Sequence, residues 1–145
     1  MKDNTAELFA EGFCCAQAVF VPFAVSMGME REVALKLSEV FGGGIAGRGE
    51  LCGALSGALL ALSLKNGRIS SDDFQAKADT RILGQKLLDT FAEEHGDVLC
   101  RALIGYDVSV PKEAAAAKES GVFKSLCPKL VESAAELTQK MLDEQ

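Results

Sequence analysis

The chain has no tryptophan, one tyrosine, one histidine and three prolines in 145 residues. So few aromatic residues, with no long β-branched runs, leave little from which strands are built. The abundant alanine and leucine favour helix instead. A lone histidine gives scant material for a mixed Cys/His zinc site. Positive charge is also in deficit: 15 Lys and Arg stand against 21 Asp and Glu, a formal charge of −6 with a pI near 4.8. A nucleic-acid binder needs a basic patch to neutralise phosphates, so that class is excluded. The most apolar stretch, Leu51 to Leu64, falls short of the roughly 20 residues that span a bilayer, and no membrane insertion is expected. The opening Met1-Lys2-Asp3-Asn4-Thr5-Ala6-Glu7 carries acids where a signal peptide has basic residues and an apolar run, so a cytoplasmic location is expected. Five cysteines remain to be explained. An odd count without a secretory signal argues against a disulfide scaffold; in a reducing compartment thiols serve metal binding, catalysis or packing.

Glycines divide the chain into helical segments. Asp3–Glu11 stops at Gly12, and Phe13–Met27 stops at Gly28, with Pro22 inside it predicting a kink or break. Glu30–Phe41 repeats Val33, Leu37, Val40 and Phe41 at helical spacing. Half of the 14 glycines lie between Gly42 and Gly57, so a loop is expected from Gly42 to Gly49. Leu51–Asn66 is apolar almost all round, which predicts a central helix, and Gly49, Gly53 and Gly57 recur as a bare stripe open to close approach or dimerisation. Ser70 and Asp73 suggest a capping box opening a long helix to His95, with an apolar face through Phe74, Ala78, Ile82, Leu87 and Phe91. Asp97 reads as the cap of a short helix through Ile104; Pro111–Ser120 and Cys127 to about Leu142 complete the set. The expectation is a compact, single-domain, all-α helical bundle over residues 1–145, built around a glycine-striped central helix.

The cysteines share a local setting. Cys14 and Cys15 open the second segment, Cys52 follows the glycine loop, Cys100 lies three residues past Asp97, and Cys127 precedes Pro128 as the expected N-cap. Helix starts present unpaired N–H groups and a positive dipole end, which favour an anion. The thiolate is the nucleophile and the metal ligand; lowering a thiol pKa from about 8.5 to about 6.5 raises its ionised fraction at neutral pH from about 3% to about 75%. Arg48 and Arg101 are close in sequence to Cys52 and Cys100 and would push the same way. The expectation is a set of activated thiols that converge in space. Against it stands the plain role of cysteine as a small buried hydrophobe, and there is no Cys-x-x-Cys pair to support a thioredoxin-like or zinc-ribbon site.

Cys52-Gly53-Ala54-Leu55-Ser56-Gly57, with Cys15-Ala16-Gln17-Ala18 upstream and Cys100-Arg101 and Cys127-Pro128 downstream, resembles the C_GCAxxG_C_C family of putative redox-active proteins across nearly the whole chain. The resemblance implies a redox function carried by Cys15, Cys52, Cys100 and Cys127, with Cys14 outside the pattern. It also implies an association with transporters, and leaves this protein's own redox partner unknown. Two chemistries fit four such thiols. They could ligate an iron–sulfur cluster, or cycle as dithiol and disulfide pairs whose pairing stays open. The rival from another class is a non-catalytic helical interaction module, with inert or structural-zinc cysteines and a homodimer formed through the glycine stripe.

Gly42, Gly44 and Gly47 match Gly-x-Gly-x-x-Gly, but a helical pattern precedes them where the dinucleotide fingerprint needs a strand. Gly42, Gly43 and Gly44 are expected to bring loop backbone near the cysteine site, as its cofactor-facing part. His95 fits a helix C-terminus, and the Asp72-Asp73 and Glu93-Glu94 pairs fit solvated turns.

Overall fold

A computed structural model describes residues 2–145, with side chains from Asn4 onward. Among the described residues the chain forms nine helices and no named strand: α1 (Lys2–Ala10), α2 (Cys15–Ser26), α3 (Arg31–Glu39), α4 (Gly53–Asn66), α5 (Phe74–His95), α6 (Cys100–Ile104), α7 (Pro111–Ser120), α8 (Val122–Ser125) and α9 (Cys127–Asp143). The all-α class is as expected, but the bundle has two central helices. Every residue of α2 from Ala16 to Ala24 is buried, as is the run from Gly53 to Ala58 in α4. These two helices pack on each other, with α1, α3, α5 and α9 around them.

Small residues set their separation. A Cβ at Gly57 would lie 2.5 Å from the Ala16 carbonyl oxygen, and one at Gly53 would lie 3.2 Å from both Cys15 Cβ and the Phe41 carbonyl oxygen. The expected three-glycine stripe is corrected to two positions, because Gly49 belongs to the loop before α4, with φ +69°. Larger side chains fill the remaining space: Phe20, Phe23, Leu55, Leu62, Leu87 and Phe91 are all at most 2% exposed. Pro22 neither breaks nor ends α2, which runs on to Ser26.

Several boundaries and faces differ from the sequence reading. The long helix starts at Phe74 under an Asp73 cap that accepts the Ala76 N–H at 3.0 Å, while Ser70 bonds Asp72 outside the helix. Leu87 and Phe91 are buried as expected, but Phe74 and Ile82 are exposed. On α3 the apolar repeat Val33, Leu37 and Val40 faces solvent, while Ala34 and Ser38 are buried. The small residues allow α3 to lie close to α2, and Gln17 Nε2 ties the two by donating to the Leu35 carbonyl at 3.1 Å. No described helix is long and apolar enough to cross a membrane.

Candidate thiol site

The cysteines do sit at helix starts. Cys14 caps α2: its side chain faces the Gln17 N–H, and Gln17 Oε1 accepts the Cys14 N–H at 3.0 Å. Cys15 is the first residue of α2, Cys52 caps α4, and Cys100 is the first residue of α6. Two assignments change. Cys127 is the first residue of α9, behind a Leu126 cap, and the cap position of α6 belongs to Leu99. Asp97 instead holds the bend before α6, its carboxylate accepting the N–H groups of Val98 at 2.6 Å and Leu99 at 2.9 Å. Those two bonds lower its pKa.

Three devices gather the thiols. The first is a single antiparallel bridge between Leu51 and Leu99. There Cys52 N–H donates to the Val98 carbonyl at 2.8 Å and Cys100 N–H to the Glu50 carbonyl at 2.6 Å. Side chains alternate across such a pairing, so Cys52 and Cys100 project from the same face. The second is the close approach of α4 to α2, which sets Gly53 against Cys15.

The third is the glycine loop. Gly43, Gly44, Ile45, Ala46 and Gly47 all have positive φ, between 54° and 74°, forming a left-handed turn. The Ala46 N–H to Val40 carbonyl bond at 2.7 Å and the Glu50 N–H to Gly44 carbonyl bond at 2.8 Å close it. Ile45 and Ala46 each carry about 1–2 kcal/mol of strain in this conformation. A Cβ at Gly44 would lie 2.8 Å from Cys100 Cβ, and one at Gly42 2.8 Å from Cys14 Cβ. Gly43 instead lies against Gly47.

Electrostatics separate the thiols. The thiols of Cys15 and Cys127 act on each other's ionisation more strongly than does any other neighbour. The neighbouring thiol holds the Cys127 pKa below the ordinary thiol value and pushes that of Cys15 well above it, with burial adding to the rise at Cys15. Burial raises Cys52, partly offset by the N–H groups of Ala54 and Leu55, with the negative charge of Cys127 adding to the rise. Cys100 is pushed up to about 11 by burial, then by the charges of Cys52, Cys127 and Asp107. Burial likewise raises Cys14.

The expectation of several activated thiols is therefore corrected to one, Cys127. Desolvation leads the rise at Cys14, Cys52 and Cys100, while at Cys15 the neighbouring Cys127 leads and desolvation follows. The expected arginines contribute nothing to this: Arg48 is exposed, and Arg101 serves Asp97, Asp107 and the Gly49 carbonyl. Cys15, Cys52, Cys100 and Cys127 influence one another across the site, and Cys52 and Cys127 are buried while Cys15 and Cys100 are half-buried. Cys14 is different in kind, a cap wedged beside Gly42.

Over residues 13–141 the chain matches the family described as "Putative redox-active protein (C_GCAxxG_C_C)". The chain belongs to this C_GCAxxG_C_C family. No curated protein and no solved structure matches it. Among the described residues, no group of three or more His, Cys, Asp or Glu is disposed to hold a metal ion. Four thiols have the right chemistry for an iron–sulfur cluster or zinc.

Some contributors carried no sequence signal: Gln17, which is buried at the start of α2, and Ser56, whose buried Oγ has no hydrogen-bond partner among the described residues. His95 closes α5 with Nε2 2.8 Å from Ser133 Oγ and its ring 4.4 Å from that of Phe91, the structural role its position suggested.

Proposed function

We propose that this protein is a thiol–disulfide redox protein of a reducing, cytoplasmic compartment, and that Cys15 and Cys127 are its working pair. What supports this reading is the opposition of the two thiols at the starts of α2 and α9, each driving the other's pKa the opposite way. A thiol whose neighbour lowers its pKa ionises more readily, and the thiolate is the form that reacts.

Charge divides the roles. Cys127, whose pKa is lowered, is the attacking thiol, and Cys15, whose pKa is raised, is the resolving one. The Cys127 thiolate attacks a disulfide of a partner molecule. One partner sulfur leaves as a thiolate and takes the proton of Cys15. The Cys15 thiolate then attacks Cys127 Sγ, expelling the second partner thiolate and closing the Cys15–Cys127 disulfide. Two thiols are oxidised and one partner disulfide is reduced, so electrons and protons balance. Run backwards, the same steps reduce the protein at the expense of a partner dithiol. Cys52 stands beside the pair, and negative charge on it would raise the Cys15 pKa further.

The test is equilibration of the reduced protein in glutathione buffers of graded potential, followed by acid quench, alkylation and mass spectrometry. A reversible Cys15–Cys127 cross-link is expected, and it is lost in Cys15→Ser and Cys127→Ser. Both thiols remaining free to alkylation at every potential overturns the reading.

A further inference from the structure

A cleft of about 630 Å³ opens between α1, α8 and α9 beside the thiol pair. Its walls include the half-buried rings of Phe9, Phe13 and Phe123, together with Pro128 and Val131. The volume lies within the range of small-molecule sites, and mostly apolar walls with a few polar groups are their usual character. Three aromatic faces, together with an exposed Ala10 that leaves the mouth open, suit a flat ring better than a flexible chain. Offset and edge-on ring packing adds to plain burial. Both Lys124 and Glu132 stand at the cleft, so neither sign of charge is favoured in the occupant.

The cleft is joined to the redox pair through the backbone. Phe13 lies two residues before Cys15, and Pro128 follows Cys127 directly. Converting the thiol pair into a disulfide fixes the sulfurs about 2 Å apart and the Cα atoms at about 5.5–6 Å, which ties the start of α2 to that of α9. Those starts carry two of the cleft walls.

We infer that this cleft binds a small, uncharged, apolar ring compound, and that its affinity changes when the Cys15–Cys127 disulfide closes. The redox dependence rests on the thiol–disulfide reading above; the binding itself does not. By linkage, an occupant that prefers one redox state makes that state easier to reach.

The test uses N-phenylnaphthylamine, an uncharged ring probe whose fluorescence rises in apolar sites, titrated into the fully reduced full-length chain. Saturable one-to-one binding is expected, with NMR shifts confined to Phe9, Phe123, Val131 and their neighbours. Ala10→Trp and Ala6→Trp fill the cleft from exposed positions on α1 and are expected to weaken binding at least tenfold, with helix content unchanged by circular dichroism. Oxidation is expected to change the affinity at least threefold in the wild type and not in Cys15→Ser. No saturable binding, or binding untouched by both tryptophan variants, overturns the site. Equal affinity in both redox states of a protein shown to form the disulfide overturns the linkage. A protein that never forms the disulfide refutes the thiol reading alone, because binding to its reduced form is still measured.

Discussion

Replacing Gly57 by alanine tests how the two central helices hold the site. In a helix interior this change ordinarily stabilises by about 0.5–1 kcal/mol, because glycine has more backbone freedom to lose. At Gly57 the new Cβ would lie 2.5 Å from the Ala16 carbonyl oxygen, 3.1 Å from Val19 Cβ and 3.2 Å from the Ala16 carbonyl carbon. Ordinary contact begins at 3.4 Å, so the shortfall against the oxygen is 3.4 − 2.5 = 0.9 Å. The obstructing atom is backbone on a fully buried stretch of α2, which cannot rotate away. Overpacking costs about 1–3 kcal/mol, and a clash with backbone that cannot yield belongs at the upper end, about 2–3, leaving a net loss of about 1–2.5 kcal/mol after the helix gain. Gly84, in α5, is the control: its added Cβ meets only Leu59 Cδ2, at 3.2 Å. That is the tip of a flexible side chain, and a net gain of about 0.5 kcal/mol is expected. Urea unfolding of both variants under reductant measures the difference. Because Ala16 adjoins Cys15, Gly57→Ala should also slow disulfide closure. A Gly57→Ala protein as stable as the wild type would refute the claim that backbone contact fixes the α2–α4 separation.

Cys14→Ser should keep the cap of α2, whereas Cys14→Ala should cost about 1 kcal/mol in thermal or urea unfolding; neither should alter the Cys15–Cys127 cross-link. Ala46→Gly should relieve the left-handed strain at φ +54° of about 1–2 kcal/mol, and after the added freedom of the unfolded chain should stabilise by about 0.5 kcal/mol. Alkaline pH should destabilise the reduced protein. The pKa values of Cys15, Cys52 and Cys100 are raised in the fold, so above the unfolded thiol value, near pH 9, the unfolded chain loses protons that the native state retains. Stability is then lost as pH rises towards the folded values, about 11 for Cys100. Unfolding followed from pH 8 to 11 should show this fall, and Cys100→Ala should make it shallower.

The order of the helices was legible because glycine stops and helical periodicity are local signals, and α7 begins and ends where Pro111 and Gly121 place it. Faces were less legible. Val33, Leu37 and Val40 form a regular apolar stripe, yet Ala34 and Ser38 are the side chains small enough to let α3 approach α2. Size at the contact decided which face turned inward, and hydrophobicity did not. The four family cysteines were legible from their motif, and their helix-start positions from flanking glycine and proline. Their ionisation was not. It depends on burial, and on a contact between Cys15 and Cys127 made by bringing two distant helix starts together. The left-handed run through Ile45 and Ala46 was equally hidden, since neither residue favours positive φ.

The central claim is that Cys15 and Cys127 act as one coupled pair. Carbon-13 NMR titration of the cysteine Cβ signals in the reduced protein tests it most directly. Cys127 is expected to titrate below the ordinary thiol value while Cys14, Cys15, Cys52 and Cys100 titrate above it, and Cys15→Ala is expected to raise the Cys127 value. Cys127 titrating with the other four, or unmoved by Cys15→Ala, would contradict the account.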